Sequence, residues 1–475
     1  MDARLISAAE ALLRRAGFLG SKATVLVALS GGADSVALLL TAAELRKQYG
    51  LTVYAAHVEH GLRGESSLAD AAFCEALCGR LCVPFTCDHA ELAGGMNAAG
   101  AEAAAREARY RLLIARAKER NADALLLAHH QDDQAETVLQ HLLRGSGARG
   151  LRGMEEITRR DGVTLCRPFL RLPKQVLLDA LAGEPYRTDE SNREPVCLRN
   201  RIRLDVLPLL TAENPAAVRH IAQSAELLRM DEDCLQAQAD RLLRSALTDT
   251  PPFFCLRRDA LQTADAAIAL RALRRYAELG LAAAGRETGE LSLSAEDSLS
   301  LLALVSAPEN TALNLPGALH ATATARYIHL TRMEGNAPLW DAPAPRPLPL
   351  SAAKRSLRFG EIRLRVAPYA PGGELPDGRR SVALPNSLAQ TAVLRRPLPG
   401  DTIRPFGAAG AKPFRRYLTD RKVDPPFRSF LPVIANGRQV LWAVGLGAAE
   451  STRMGQEPSV LFTLQGRLPW LNLKG

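Results

Sequence analysis

Apolar residues open the chain in short bursts, with helically spaced stretches between them. Thr24-Val25-Leu26-Val27-Ala28-Leu29 is a compact apolar run, followed by a glycine turn and a helical stretch through Val36 to Gln48. Leu51 to Val58 predicts a second strand, Ser66 to Leu81 a helix, Val83 to Cys87 a third strand, and Asn97 to Arg120 a long Ala-rich, charged helix. Ala124 to Ala128 reads as a fourth strand, with a helix from Asp132 to Leu143 behind it. Strands and helices alternating in this way predict a parallel sheet covered by helices on both faces. Such sheets bind ligands at the carboxyl ends of their strands.

The period changes near residue 216. Val218, Ile221, Ala225, Leu228, Leu235, Ala239, Leu242 and Ala246 keep a three/four spacing broken by Glu232, so a long amphipathic helix is expected. Further helices are predicted over Ala264 to Leu279 and over Glu296 to Val305, the latter opened by Ser294. Alternation around Arg326-Tyr327-Ile328-His329-Leu330 suggests strands, and Pro338, Pro343, Pro345, Pro347 and Pro349 then predict a stiff linker. The remainder reads as β-rich. Ile362 to Val366 alternates, Pro371-Gly372-Gly373 breaks it, and Thr391–Leu394, Leu431–Ala435 and Val440–Val444 follow, the last two joined across the hairpin pair Asn436-Gly437. The expected fold class is α/β: a parallel-sheet nucleotide-binding domain over 1–215, a mostly helical middle domain over 216–345, and a small β-rich, basic C-terminal domain over 346–475.

Composition narrows this picture little. The 475 residues carry a formal net charge of +9, which fits either a polyanionic partner such as nucleic acid or a solvated basic surface. No apolar run approaches the ~20 residues of a bilayer span. Met1 to Arg15 is an amphipathic pattern carrying Asp2, Glu10, Arg14 and Arg15, unlike a signal peptide, so a cytoplasmic protein is expected. Cys74, Cys78 and Cys82 recur every four residues, with Cys87 after them. With no C-x-x-C pair in the chain, one buried helical face explains them better than a metal site does.

The chemistry concentrates in two places. Ser30-Gly31-Gly32-Ala33-Asp34-Ser35 lies between the first strand and its helix. Glycines bring backbone N–H groups close to a ligand, the helix N-terminus adds its positive dipole end, and Ser30 and Ser35 add hydroxyls. This cradle for an anion has no G-K-[ST], so it is not a Walker A loop. Asp34 beside phosphate calls for a divalent cation such as Mg²⁺ between them; alternatively Asp34 and Ser35 cap the helix. The second place is His129-His130-Gln131-Asp132-Asp133-Gln134-Ala135-Glu136-Thr137, after the fourth strand. Its carboxylates share one helix end, where they can hold a metal, orient an amine or accept its proton, or merely cap the helix.

S-G-G-x-D-S resembles the signature of the PP-loop (N-type ATP pyrophosphatase) family, which implies splitting of ATP to AMP and pyrophosphate. The second block resembles the H-H-x-D-D-Q-x-E-T stretch of tRNA(Ile)-lysidine synthetases. So do His57-Val58-Glu59-His60-Gly61-Leu62-Arg63, Ala105-Arg106-Glu107-Ala108-Arg109-Tyr110, Arg144-Gly145-Ser146-Gly147 to Gly150-Leu151-Arg152-Gly153-Met154, and Arg167-Pro168-Phe169-Leu170. Thr188-Asp189-Glu190-Ser191-Asn192, Arg199-Asn200-Arg201-Ile202-Arg203 and, more loosely, Arg396 to Lys422 extend the likeness. Glu59 departs from the family's Asn, and Ala128 from a frequent Gly.

The resemblance implies adenylation of the 2-carbonyl oxygen of the wobble cytidine in a CAU-anticodon isoleucine tRNA, followed by attack of the ε-amine of L-lysine. It implies that Ser30, Gly31, Gly32, Ala33, Asp34 and Ser35 bind ATP and that Asp34 contacts Mg²⁺. Asp132 or Asp133 would hold metal or the amine, unranked. Arg199 and Arg203 would stabilise the leaving group or bind tRNA. Arg144, Arg149, Arg152, Arg159 and Arg160 offer further tRNA contacts. So do Arg395, Arg396, Arg404, Lys412, Arg415, Arg416, Arg421, Lys422 and Arg428, interleaved with Phe406, Phe414, Tyr417 and Phe427. The oligomeric state stays open, a homodimer being one option. Two competing readings are a thiolase of the same loop family, which commonly needs paired cysteines, and a non-catalytic tRNA-binding protein on the same fold.

Overall fold

Thr24 to Ala28 is buried on both sides, and that burial explains why its sequence is apolar without alternation. In the computed structural model Val25 and Val27 enter one core, whereas Leu26 enters the core on the opposite face. The structure describes residues 1–20, 22–59, 65–90, 98–187, 197–247, 255–283, 293–332, 345–348, 355–359, 362–369, 374–453 and 457–466. The stretches His60–Arg63 and Thr188–Asn192, as well as Asn97, Pro338, Pro343, Pro349 and Pro371–Gly373, lie outside the described residues.

The chain divides into two units, Met1–Asp233 and Cys234–Gly475. The first begins with α1 (Ala3–Arg15), β1 (Thr24–Ala28), α2 (Ala33–Tyr49), β2 (Thr52–Glu59), α3 (Glu65–Arg80), β3 (Phe85–His89), α4 (Ala98–Glu119) and β4 (Ala124–Leu126). It continues with α5 (Gln131–Leu143), α6 (Ala148–Leu151), β5 (Ile157–Arg160), β6 (Val163–Cys166), α7 (Lys174–Ala180) and α8 (Leu198–Arg201). A π-helical turn, Ile202–Val206, leads from α8 into α9 (Leu207–Glu213). The long α10 (Ala217–Ala246) spans the predicted amphipathic stretch, and Glu232, the polar break in that pattern, is buried in it.

The sheet order is β3-β2-β1-β4-β6-β5. Neighbours run parallel except β5, which returns antiparallel to β6. The β5–β6 hairpin is absent from the sequence reading. Its turn is Asp161-Gly162, with φ of 48° and 83°, the left-handed pair of a tight hairpin. β1 lies between β2 and β4, so the connections leave it in opposite directions. The gap at the carboxyl ends of β1 and β4 is therefore the topological switch point, where such sheets bind ligands.

In the second unit, β7 (Cys255–Arg257), α11 (Arg258–Gln262), α12 (Ala266–Ala283), α13 (Ala295–Ala303), β8 (Ala312–Leu315), β9 (Leu319–Ala323) and β10 (Tyr327–Arg332) give helices beside an antiparallel sheet of order β7-β10-β9-β8. The middle region thus holds more strand than its sequence pattern suggested. Ser294 caps α13 in a reciprocal box with Asp297.

The rest is β-rich: β11 (Arg346–Pro347), β12 (Arg355–Phe359), β13 (Ile362–Tyr369), β14 (Ser381–Pro385), α14 (Asn386–Ala389), β15 (Val393–Arg395), β16 (Thr402–Ile403) and β17 (Lys412–Pro413). Then come α15 (Phe414–Asp420), α16 (Pro425–Arg428), β18 (Val433–Asn436), β19 (Gln439–Ala443), β20 (Gly447–Ala448) and β21 (Ser459–Gln465). They form one sheet of order β12-β13-β21-β14 and a second of order β11-β15-β18-β19-β16-β17, with β20 on β19. β11 corrects the linker expected around Pro345 and Pro347. Its two residues pair with β15 at the sheet edge, where a proline costs no ladder bond.

The cysteine pattern holds for two positions. Cys74 and Cys78 are buried, and burial pushes each thiol up to about 12. Cys82 lies past the end of α3 at φ 51° and is exposed, as is Cys87, so the expected single face breaks there. Among the described residues no group of His, Cys, Asp or Glu side chains is arranged as a metal cluster.

Candidate active site

The glycine loop sits where β1 ends. Leu29 is fixed from two sides: its N–H donates to Ala56 O at 2.9 Å, and His57 Nδ1 lies 2.8 Å from its carbonyl. Gly31 has φ +86°, which favours glycine, and an added Cβ would also crowd Cys74 Sγ at 3.3 Å. Gly32 is the N-cap of α2, and no side chain caps that helix. The Ser35 hydroxyl instead turns back to Gly32 O at 3.0 Å and accepts from Ser30 N–H at 3.1 Å. The N-terminal turn of α2 thus keeps the uncapped N–H donors and dipole that an anion needs. Of the two roles left open for Asp34, capping is not the one adopted. Its Oδ1 is buried without a hydrogen-bond partner among the described residues.

Beside this loop, at the end of β4, α5 gathers carboxylates around one imidazole. His130 Nε2 lies 3.5 Å from Asp34 Oδ2 and 3.4 Å from Asp133 Oδ2, and Nδ1 lies 3.5 Å from Asp132 Oδ2. Burial alone would push this imidazole down. The three carboxylates outweigh burial and hold it up at about 10. Its neighbour His129 is half-buried with its Nδ1 shut off from solvent, and this desolvation, with cationic Arg167 and Arg199 nearby, pushes it down to about 3, so it stays neutral.

The geometry separates the two aspartates that the sequence left equal. Asp133 Oδ2 accepts the His130 backbone N–H at 3.0 Å, closing the start of α5, and its Oδ1 accepts from Arg199 at 2.7 Å and Arg203 at 3.3 Å. Although burial opposes ionisation, His130 and Arg199 hold Asp133 well below the usual carboxylate range. Glu136 takes Arg199 Nε at 2.8 Å and Arg203 Nε at 2.5 Å. Asp132 accepts one backbone bond, from Lys174 N at 3.0 Å, and its side chain stays about one-third exposed. Arg199 and Arg203 therefore reach the acidic cluster, as ion-pair partners of Asp133 and Glu136.

Two further contributors are Arg187, which the sequence reading missed, and Gln134, which it named in the second block without a role. Arg187 donates its backbone N–H to Gly31 O at 2.9 Å, and its Nε bonds Asp70 Oδ1 at 2.7 Å. Its signal was its place directly before the Thr188–Asn192 block. Gln134 clasps the Met154 backbone with two bonds, 3.0 and 2.7 Å, and so fixes the Gly150–Met154 turn against α5.

The C-terminal cations sort into two kinds. Arg395 is buried against Asp401 at 2.8 Å, and Arg428 donates to Val423 O, so both serve the fold. Arg396, Arg404, Arg415, Arg416, Arg421 and Lys422 are exposed. Phe414, Tyr417 and Phe427 are core residues, whereas Phe406 is exposed.

Residues 4–210 match a family model described as a PP-loop domain, and residues 392–463 match one described as the TilS substrate C-terminal domain. A tRNA(Ile)-lysidine synthase of Geobacter sulfurreducens is 32% identical over 461 residues, covering 93% of each chain. The chain belongs to the tRNA(Ile)-lysidine synthase family. Relatives of the same name include one from Solibacter usitatus, 30% identical over 94% of this chain and 98% of that one, and one from Thermus thermophilus, 35% identical over 92% and 71%. Membership makes the chain an ATP-dependent ligase. The family does not favour the thiolase or the non-catalytic reading. No helix among the described residues is long and apolar enough to cross a membrane.

Proposed function

We propose that this chain adenylates the 2-carbonyl oxygen of the wobble cytidine in a CAU-anticodon isoleucine tRNA with ATP and joins L-lysine at that carbon. The carrying observation is the convergence of the Ser30–Ser35 loop with Asp34, His130 and Asp132 at the switch point between β1 and β4. In the first step the carbonyl oxygen attacks the α-phosphorus and pyrophosphate leaves. In the second the lysine ε-amine attacks the base carbon, AMP leaves with the oxygen, and the amine gives up a proton.

The free N–H donors of α2, with Ser30, hold the phosphates. Asp34 fits a cation, because its Oδ1 is a buried carboxylate oxygen with no other partner among the described residues. Bound Mg²⁺ would shield the pyrophosphate charge. Asp132 orients the lysine amine and receives its proton, being the least committed carboxylate of α5. Asp133 and Glu136, neutralised by Arg199 and Arg203, hold the first turn of α5 in place; the guanidiniums also bring positive charge toward the departing AMP. Free lysine, ATP and tRNA are cytoplasmic, and the enzyme is assigned there.

The test is incubation with ATP, Mg²⁺, labelled lysine and a CAU-anticodon tRNA transcript. Label should enter the tRNA with one AMP released per lysine. Folded, ATP-binding protein that leaves the tRNA unlabelled would sink the reading.

A further inference from the structure

Phe406 is exposed over 59% of its surface, a poor place for a phenyl ring unless something covers it. Single exposed apolar residues are common, so exposure alone decides nothing. The surroundings of this one are unusual. The turn that carries it is fastened at five points: Phe406 N–H to Ala448 O at 3.1 Å, Gly407 N–H to Glu450 Oε2 at 2.7 Å, Ala408 N–H to Pro405 O at 2.9 Å, Arg404 Nε to Ala408 O at 2.9 Å, and Glu450 N–H to Arg404 O at 2.8 Å. The Arg453 guanidinium lies 5.2 Å from the ring centroid, and Glu450 holds it there through its Nε at 2.7 Å. Gly407 beside it has open space where a side chain would be. The ring is thus fixed in place before any ligand arrives and backed by a cation. Of the four aromatics interleaved with this cationic stretch, it is the one the core does not consume.

We propose that Phe406, backed by Arg453, is a stacking platform for an unpaired nucleobase of the tRNA. A nucleobase is the planar partner that such a ring accepts without sequence preference, and the exposed Arg404 and Arg453 beside it match the phosphates flanking that base. Because the platform is prefixed, stacking costs little ordering entropy. The proposal rests on the tRNA reading above and extends it to one residue.

The test compares wild type with Phe406→Ala, Phe406→Leu and Phe406→Trp, using the CAU-anticodon transcript and an RNA duplex of similar length. Loss of the ring in the Ala and Leu variants should raise the tRNA Kd and the KM for tRNA about tenfold. The KM for ATP and the affinity for the duplex, whose bases cannot stack on the ring, should not move. Trp should restore binding, and its added fluorescence should be quenched by tRNA. Wild-type tRNA affinity in the Ala and Leu variants would overturn the proposal. An equal loss on tRNA and duplex would overturn it too, since it would mark a phosphate or folding effect. If wild type binds tRNA but incorporates no lysine, the functional reading fails while a Phe406-dependent Kd still supports the platform.

Discussion

Asp34 sits between a protonated imidazole and the phosphate cradle, with one oxygen toward His130 and the other buried and unsatisfied. Asp34→Asn keeps its size and removes its charge. Lysine incorporation should fall about a hundredfold or more while thermal unfolding stays close to wild type. Wild-type activity would show that no cation depends on this carboxylate. The loop hexamer was legible because its chemistry is local in sequence. The different surroundings of Asp132 and Asp133 were not, because their partners Lys174, Arg199 and Arg203 are distant in the chain. A second residue carries a pH signature. Burial, with His320 nearby, pushes His329 on β10 down to about 4. The unfolded chain takes up that proton near the ordinary value, so the folded state is at full advantage above roughly pH 6.5 and loses stability as pH falls toward 4. His329→Gln should flatten this decline by at most about 3 kcal/mol, read as urea midpoints at pH 7 and 4.5. Parallel declines in both proteins would refute it.

At the scale of elements, α5 is held by charge as well as by the packing of Ala135 against Ile202 and Leu207. Glu136 is 1% exposed and receives both guanidiniums from α8 and the π-turn that follows it. A π-turn widens the helix locally, and here it lies between Arg199 and α9 with Arg203 inside it. Breaking one member of such a buried cluster leaves uncompensated charge, so Glu136→Leu should cost about 3–5 kcal/mol. Calorimetry should show the transition containing residues 1–233 moving down in temperature; an unmoved transition would mean the cluster adds nothing to stability. The acids were legible as an i,i+3/i,i+4 group on one helix, but their partners lie more than sixty residues on, where Arg199–Arg203 appeared as a motif without an address. The β5–β6 hairpin was legible and overlooked: Asp161-Gly162 between two short β-prone runs is its signal. β11 was not legible, since two residues in a proline-rich stretch become a strand only because β15 offers an edge.

For the whole molecule, net charge states how many cations exceed anions and not which of them meet a ligand. Arg395 with Asp401, Arg326 with Asp424, and Lys412 with Asp420 are neutralised within the second unit. Composition cannot separate these from Arg415 and Arg416, which share α15 with buried Phe414, Tyr417 and Leu418. Helical spacing makes the division: the apolar members face the core, and the two arginines between them must face water. They are therefore well placed for the phosphates of a partner. Replacing both with Glu should weaken tRNA binding at low salt and lower the slope of log K against log salt by about one to two, since each phosphate contact contributes close to one unit. ATP–pyrophosphate exchange without tRNA should not change, because the phosphate loop belongs to the other unit. An unaltered salt slope in a variant that still folds would exclude α15 from the tRNA-binding surface.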